Sequence, residues 1–178
     1  MNNFPVSEGD NASSRSARAP QRVALALGSN IGDRAATLRA AFEAVRPWIA
    51  VEAVSPLYET PAAYVVDQPS FYNAALVGTT NLQPLPLLWT LKKLESELGR
   101  VPTFRYGPRV IDLDLLLYGH VIMSSPELTI PHPRMAEREF ALRPLADIAP
   151  NWIHPQTKMT VSQMLEGIPE CSARKLSC

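Results

Sequence analysis

Apolar positions along the chain fall into short runs whose period switches between two and about 3.6 residues, as expected for strands alternating with helices. RVALALG, residues 22–28, carries Val, Leu or Ala on both faces and predicts a buried strand. Ser29, Asn30 and Gly32 then supply turn chemistry. Asp33 can cap a helix on which Leu38, Phe42 and Val45 recur at helical spacing up to Pro47. Residues 49–60 alternate well enough for one strand, with Val51 and Ala53 on one face, which stops at Thr60-Pro61. PAAYVVDQP, residues 61–69, is a proline-bracketed loop long enough to be functional, and FYNAALVGTT, residues 71–80, resumes strand character. Residues 84–98 predict a helix with Pro at its start, a Leu87, Leu88, Leu91, Leu94 and Leu98 stripe, and Gly99 ending it. A strand over 110–117, short strands at 121–123 and 128–130, a helix over 134–148 and a last short helix at 160–165 complete the pattern.

The chain has 178 residues, 46% of them hydrophobic, which suits one domain over residues 21–178. Residues 1–20 are rich in Asn, Ser, Ala and Arg and poor in large apolar groups, which predicts a disordered tail. Lys plus Arg equals Asp plus Glu at 17 each, which argues against a protein that coats nucleic acid or an anionic membrane, so any basic site must be local. Cys171 and Cys178 lack metal-ligand spacing and give no disulfide framework. There is no apolar core of a secretory signal and no stretch long enough to span a bilayer, so a cytoplasmic protein is expected.

Candidate chemistry concentrates in FRYGPRVIDLDLLLYG, residues 104–119. Strand alternation puts Asp112 and Asp114 on one face, roughly 7 Å apart along the backbone, with Ile111, Leu113 and Leu115 on the other. Two carboxylates so close must be protonated, paired with cations or joined by metal. Arg100, Arg105 and Arg109 stand nearby, so a salt-bridged strand and a magnesium and phosphate site both remain open. Phe71 and Asn73 share a strand face, where an aromatic plane and an amide could stack and read a flat heterocycle, or serve only as core and turn cap. His132 lies between two prolines, so its backbone is restricted. GSNIGD is neither a Walker A loop nor G-x-G-x-x-G. Together the set suits moving a phosphate-containing group from a nucleotide, under magnesium, to a flat polar ring.

The ordered motifs GSNIGDR, SPLYETPA, DQPSFYNAAL, LGR, YGPRVIDLDLLLYG and LTIPHPRMAEREFALRPLADIAP resemble those of the 6-hydroxymethyl-7,8-dihydropterin pyrophosphokinases of folate biosynthesis, from about residue 23 to about 153. The resemblance implies an α+β, ferredoxin-like sandwich with a mostly antiparallel sheet covered by helices. It implies transfer of the β,γ-diphosphate of ATP to the pterin hydroxymethyl group with release of AMP. Asp112 and Asp114 match ligands of two Mg²⁺ ions, and Arg100 and Arg109 match catalytic, phosphate-contacting arginines. Thr60, Pro61, Phe71, Asn73 and Phe140 match pterin-pocket positions. Lys92, Glu95, Leu115, Thr129, His132 and Arg138 match positions around ATP. The chain departs from the family pattern at Lys92, where a glutamine can stand, at Tyr106, where a tryptophan can, and at Pro102, where an arginine can. The implied partners are the two small molecules alone, without nucleic acid or membrane, for a monomeric enzyme. Two rivals are a ferredoxin-like nucleotide- or RNA-binding module without catalysis, and a kinase moving only the γ-phosphate.

Overall fold

In the computed structural model of the chain, which describes residues 19–63, 67–104, 107–168 and 172–176, a six-stranded antiparallel sheet carries helices on both faces. Its interior strand β1 (Gln21–Ser29) is paired along its whole length with β4 (Phe71–Thr80) and on its other side with β5 (Asp112–Tyr118). Alternation along β1 assigns the two layers. Val23, Leu25 and Leu27 join the core under α1 (Arg34–Val45) and α2 (Pro84–Glu97). Ala24 and Ala26 join the core under α3 (Glu139–Ile148) and α4 (Val161–Glu166).

Local signals behave as the sequence predicts at most helix ends. The Asp33 side chain accepts from the Ala36 amide at 2.9 Å, Pro84 opens α2, and Gly99 takes a left-handed φ of +92° just beyond its end. Thr160 and Gln163 form a reciprocal capping box on α4. Among the described residues no helix is long and apolar enough to cross a membrane.

Several expected boundaries are corrected. Residues 49–60 form two strands, β2 (Ala50–Val54) and β3 (Tyr58–Thr60), both paired with β4. The break falls at Pro56, which has no N–H to give the ladder, while the Ser55 hydroxyl accepts from the Ala75 amide at 2.9 Å. The helix expected over 134–148 is a 3₁₀ turn (Met135–Glu137) followed by α3, interrupted where Arg138 takes an extended backbone (φ −107°, ψ 96°). The short strands are β6 (Met123–Ser124) and β7 (Thr129–Ile130), which pair with each other. A C-terminal strand, β8 (Arg174–Lys175), covers the edge of β3 and was not foreseen. A register shift against β1 gives β5 an extra residue at Leu116. Leu113 and Leu115 therefore face α2, whereas Leu116 and Leu117 both lie in the α3 layer, which breaks strict alternation. The expected tail falls on residues 1–18 beyond Ala19 and Pro20, and Cys171 and Cys178 likewise lie outside the described residues.

Gly78 sits where β4 pairs with both Val23 of β1 and Val51 of β2. A Cβ there would lie 2.4 Å from the Ala50 carbonyl oxygen and 2.9 Å from Ile49 Cγ2, and a ladder oxygen cannot retreat without losing its bond. Gly78→Ala is expected to destabilise the protein by about 2 to 4 kcal/mol in urea unfolding. A loss below about 0.5 kcal/mol would show that β2 can shift freely on β4.

Candidate active site

The site forms on the α3 side of the sheet, where β1 ends and β4 and β5 begin. Register places Asp112 opposite Gly28 and Asp114 opposite Ala26 on one flank of β1, and Asn73 opposite Gly28 on the other. Thr60 lies opposite Phe71 on the next strand. A Cβ on Gly28 would stand 3.1 Å from Asn73 Oδ1 and 3.7 Å from the Phe71 ring, so the glycine keeps the floor low. Above this floor of Ala26, Leu27 and Gly28 opens a cleft of about 280 Å³. One wall is Thr60, Pro61, Ala63, Gln68, Phe71 and Asn73, and the opposite one His132, Arg138 and Phe140. Lys92, Arg100, Arg109, Asp112 and Asp114 line its charged end.

The two acids are held differently. Asp112 takes one arginine on each oxygen, Arg100 at 2.7 Å and Arg109 at 2.7 Å. Burial alone would raise its carboxyl, but Arg109 and Arg100 outweigh that, and it lies below the usual carboxylate range. Asp114 pairs with Arg138 at 3.2 Å. Burial, reinforced by the charge on Asp112, pushes its carboxyl above that range. Glu95, 2% exposed, sits behind this end. It accepts from the Leu113 amide at 2.7 Å and from Lys92 at 2.8 Å, and pairs with Arg100 at 2.5 Å. Burial tends to lower the Arg100 guanidinium, but Asp112 and Glu95 together hold it above its ordinary value.

On the facing wall, the extended Arg138 leaves the helix ladder and aims its guanidinium at Asp114 and His132 Nε2, the latter at 3.3 Å. Its Nε is buried with no hydrogen-bond partner among the described residues. The Arg134 amide donates to His132 Nδ1 at 3.2 Å, and the His132 amide donates to the Leu116 carbonyl at 2.9 Å. Burial, with Arg138 and Arg134 adding to it against the pull of Asp114, lowers the imidazolium, so the ring is neutral near pH 7. On the apolar wall the Asn73 amide donates to the Thr60 hydroxyl at 2.8 Å, which fixes its orientation.

Most residues singled out from the sequence thus meet around one cleft, and three do not line it. Glu95 backs Arg100, Leu115 is buried under α2 and can reach the cleft only through its backbone, and Thr129 lies on β7. Arg105 and Tyr106 lie outside the described residues. Sequence reasoning missed Asn30, whose buried amide ties the two loops together. It donates to Gln68 Oε1 at 3.1 Å and the Pro69 carbonyl at 3.2 Å, and accepts from the Arg109 amide at 2.8 Å. It also missed Arg34, which lies over the Tyr72 ring at 3.7 Å and donates to the Ser70 carbonyl at 2.7 Å. The small Ala26 and Gly28 at alternate positions in an otherwise large-residue strand were the readable signal for the floor. Asn30 and Arg34 gave none beyond turn propensity.

The model of the family described as 7,8-dihydro-6-hydroxymethylpterin-pyrophosphokinase (HPPK) matches residues 24–150. The "Folic acid synthesis protein FOL1" of Dictyostelium discoideum is 44% identical over 147 residues, covering 83% of this chain but only 22% of that protein. The "2-amino-4-hydroxy-6-hydroxymethyldihydropteridine pyrophosphokinase" of Pseudomonas aeruginosa is 45% identical over 133 residues, covering 74% of this chain and 82% of that protein. A solved HPPK-DHPS of Plasmodium falciparum superposes with a TM-score of 0.71 at 17% identity, covering 86% of this chain and 46% of that one, which bears on the fold alone. The chain therefore spans about a fifth of its long relative and most of its short one. With a family model matched over more than half its length, the chain belongs to the 7,8-dihydro-6-hydroxymethylpterin-pyrophosphokinase family.

Proposed function

We propose that this protein transfers the β,γ-diphosphate of ATP to the hydroxymethyl oxygen of 6-hydroxymethyl-7,8-dihydropterin and releases AMP. The observation that carries the reading is the continuity of one cleft, flat and apolar at the Phe71 and Phe140 end and densely charged at the Asp112 and Arg100 end. Thr60, Pro61, Phe71, Asn73 and Phe140 receive the flat ring, stacked by the two phenylalanines and read by the oriented Asn73 amide. Lys92, Arg100, Arg109, His132 and Arg138 receive the triphosphate, and the partnerless Arg138 Nε is a donor ready for a phosphate oxygen. Glu95, Leu115 and Thr129 shape the nucleotide end from behind these groups. A ferredoxin-like fold fits the element order, since β1, α1, β2 with β3, β4, α2 and β5 follow the βαββαβ pattern with β1 between β4 and β5. The names of the relatives support the same reaction.

The donor set at the charged end fits magnesium. Two carboxylates, Asp112 and Asp114, share a face at the charged end of the cleft. Among the described residues no cluster of three or more His, Cys, Asp or Glu could close a cage. Magnesium usually keeps water and takes phosphate oxygens as well as one or two carboxylates, so Asp112 and Asp114 would be enough protein ligands to hold it beside the triphosphate. When bound, such ions supply Lewis-acid stabilisation of charge on the transferring phosphoryl oxygens. The protein's own part is positioning: the pterin alcohol is presented in line with the β-phosphorus, its oxygen bonds that phosphorus as the bond from it to the α,β-bridging oxygen breaks, AMP leaves on that oxygen, and the alcohol proton passes to solvent. Arg100 and Arg109 hold Asp112 in this structure and would have to turn to phosphate oxygens for Asp112 to take metal.

Incubation with ATP, magnesium and the hydroxymethylpterin is expected to give AMP and pterin diphosphate in equal amounts, with none formed in EDTA. Chromatography showing ADP instead would point to simple γ-phosphate transfer, and binding without turnover would point to a non-catalytic module. Phe71→Ala or Phe140→Ala is expected to weaken pterin binding by about 1 to 3 kcal/mol in calorimetry while barely changing ATP affinity. Equal losses for both ligands would assign the phenylalanine to the core.

Without metal, the two acids are expected to differ in urea melts at neutral pH. Asp112→Asn leaves Arg100 and Arg109 facing each other and is expected to destabilise by about 2 to 4 kcal/mol. A carboxyl depressed on folding stabilises above its unfolded range and loses that contribution as pH falls, so this penalty should shrink toward pH ~3. The Asp114 carboxyl is raised on folding and opposes stability at neutral pH, so Asp114→Asn should hold or raise stability. Both variants are expected to lose at least ~100-fold in AMP release with magnesium. A destabilised Asp114→Asn variant that turned over normally would overturn its role as a metal ligand.

A further inference from the structure

One short segment, residues 172–176, ties together the two walls that flank the flat end of the cleft. On one side it completes the edge of the sheet. β8 pairs antiparallel with β3, Arg174 opposite Glu59 and Lys175 opposite Tyr58, and the Leu176 amide donates to the Leu57 carbonyl at 2.9 Å. Arg174 also forms an ion pair with Glu59. Glu59 immediately precedes Thr60, and its carboxylate also takes the Ser70 hydroxyl at 2.7 Å, next to Phe71. On the other side the segment holds α3. Both oxygens of Glu139 are taken by it: Oε2 by the Ser172 amide at 2.8 Å and hydroxyl at 3.2 Å, Oε1 by the Ala173 amide at 3.1 Å. Glu139 lies between Arg138 and Phe140. Farther along α3, Asp147 accepts from Lys175 at 3.0 Å and from the Tyr58 hydroxyl at 2.9 Å.

Each of these contacts is worth little by itself, because Arg174 and Lys175 are largely exposed and exposed pairs contribute at most about 1 kcal/mol. Their placement matters more than their sum. They engage one wall at the residue before Thr60 and the other at the residue before Phe140, so they bear on the distance between the Phe71 and Phe140 rings. Stacking on a planar ring needs that distance held within a few tenths of an ångström. The charged end has further ties of its own, the Glu95 carboxylate of α2 on the Leu113 amide and the Asn30 side chain on the Arg109 amide, neither of which passes through residues 172–176.

We propose that residues 172–176 form a positioning segment for the flat substrate, setting the gap between the Phe71 and Phe140 walls through Glu59 and Glu139 without serving the nucleotide end. The role rests on the pterin reading above, and the test separates the two. In the full-length chain, Glu139→Ala removes the α3 anchor and Arg174→Ala weakens the β3 anchor. Calorimetry with 6-hydroxymethylpterin and, separately, with magnesium ATP reads each variant against wild type, with thermal melting beside it. Expected are a rise in pterin Kd of about tenfold for Glu139→Ala and about threefold for Arg174→Ala, with the ATP Kd within about twofold of wild type. The double variant should rise by less than the product of the single effects, because both changes release the same tie. Wild-type protein that fails to bind the pterin overturns the substrate reading and this role with it. If wild type binds, pterin affinities unchanged in the variants, or equal losses for both ligands, overturn the role alone. If Glu139→Ala does not fold, Arg174→Ala decides the matter by itself. If neither folds, the segment belongs to the core and the role is likewise overturned.

Discussion

Two carboxylates on one face of a strand, Asp112 and Asp114, set the terms that the rest of the site must meet. Like charges this close and this buried cannot both ionise without compensation, and the fold supplies it from three directions. Arg100 arrives from the end of α2, Arg109 from the loop before β5, and Arg138 from the break ahead of α3. Glu95 brings a third carboxylate that steers Arg100 and Lys92. Cations outnumber carboxylates in this cluster, although the chain as a whole is neutral. A local excess of positive charge, with one acid incompletely neutralised, suits a ligand that brings anionic oxygens together with divalent cations.

The cleft exists because the two faces of the sheet are unequal. On the α1 and α2 side, Val23, Leu25 and Leu27 pack into a leucine-rich core. On the α3 side the same strand offers Ala24, Ala26 and Gly28, so the helix layer closes over Ala24 while the end at Ala26 and Gly28 lies open as the cleft floor. Helix α3 starts only after Arg138, and a continuous helix from residue 134 would not carry that side chain on an extended backbone at the cleft wall. The irregularities at Pro56, Leu116 and Arg138 therefore do different things. The first splits an edge strand, the second lets β5 serve both layers, and the third builds a wall of the site.

How much was legible in the chain follows from the range of the forces involved. Period-two alternation acts between neighbours, so the shared face of Asp112 and Asp114, and of Phe71 and Asn73, could be read directly. Caps and stops are equally local, and Asp33, Pro84 and Gly99 act where the sequence put them. The order of motifs carried the family, and with it most of the cleft residues. What depends on strand register and on contacts between distant segments could not be read. Arg109 lies three residues from Asp112, but the Arg100 contact to the same carboxylate, the reach of Arg138 to Asp114, and the Asn30 amide spanning to Gln68 and Arg109 join residues far apart in sequence. The β8 segment is the extreme case, since two exposed basic residues have no strand signal of their own and become a strand only because β3 presents an open edge. The sequence by itself determined which charged and aromatic side chains share a strand face, because that depends on neighbouring residues; tertiary structure decided their partners, because only packing brings distant carboxylates, guanidiniums and strand edges within reach of one another.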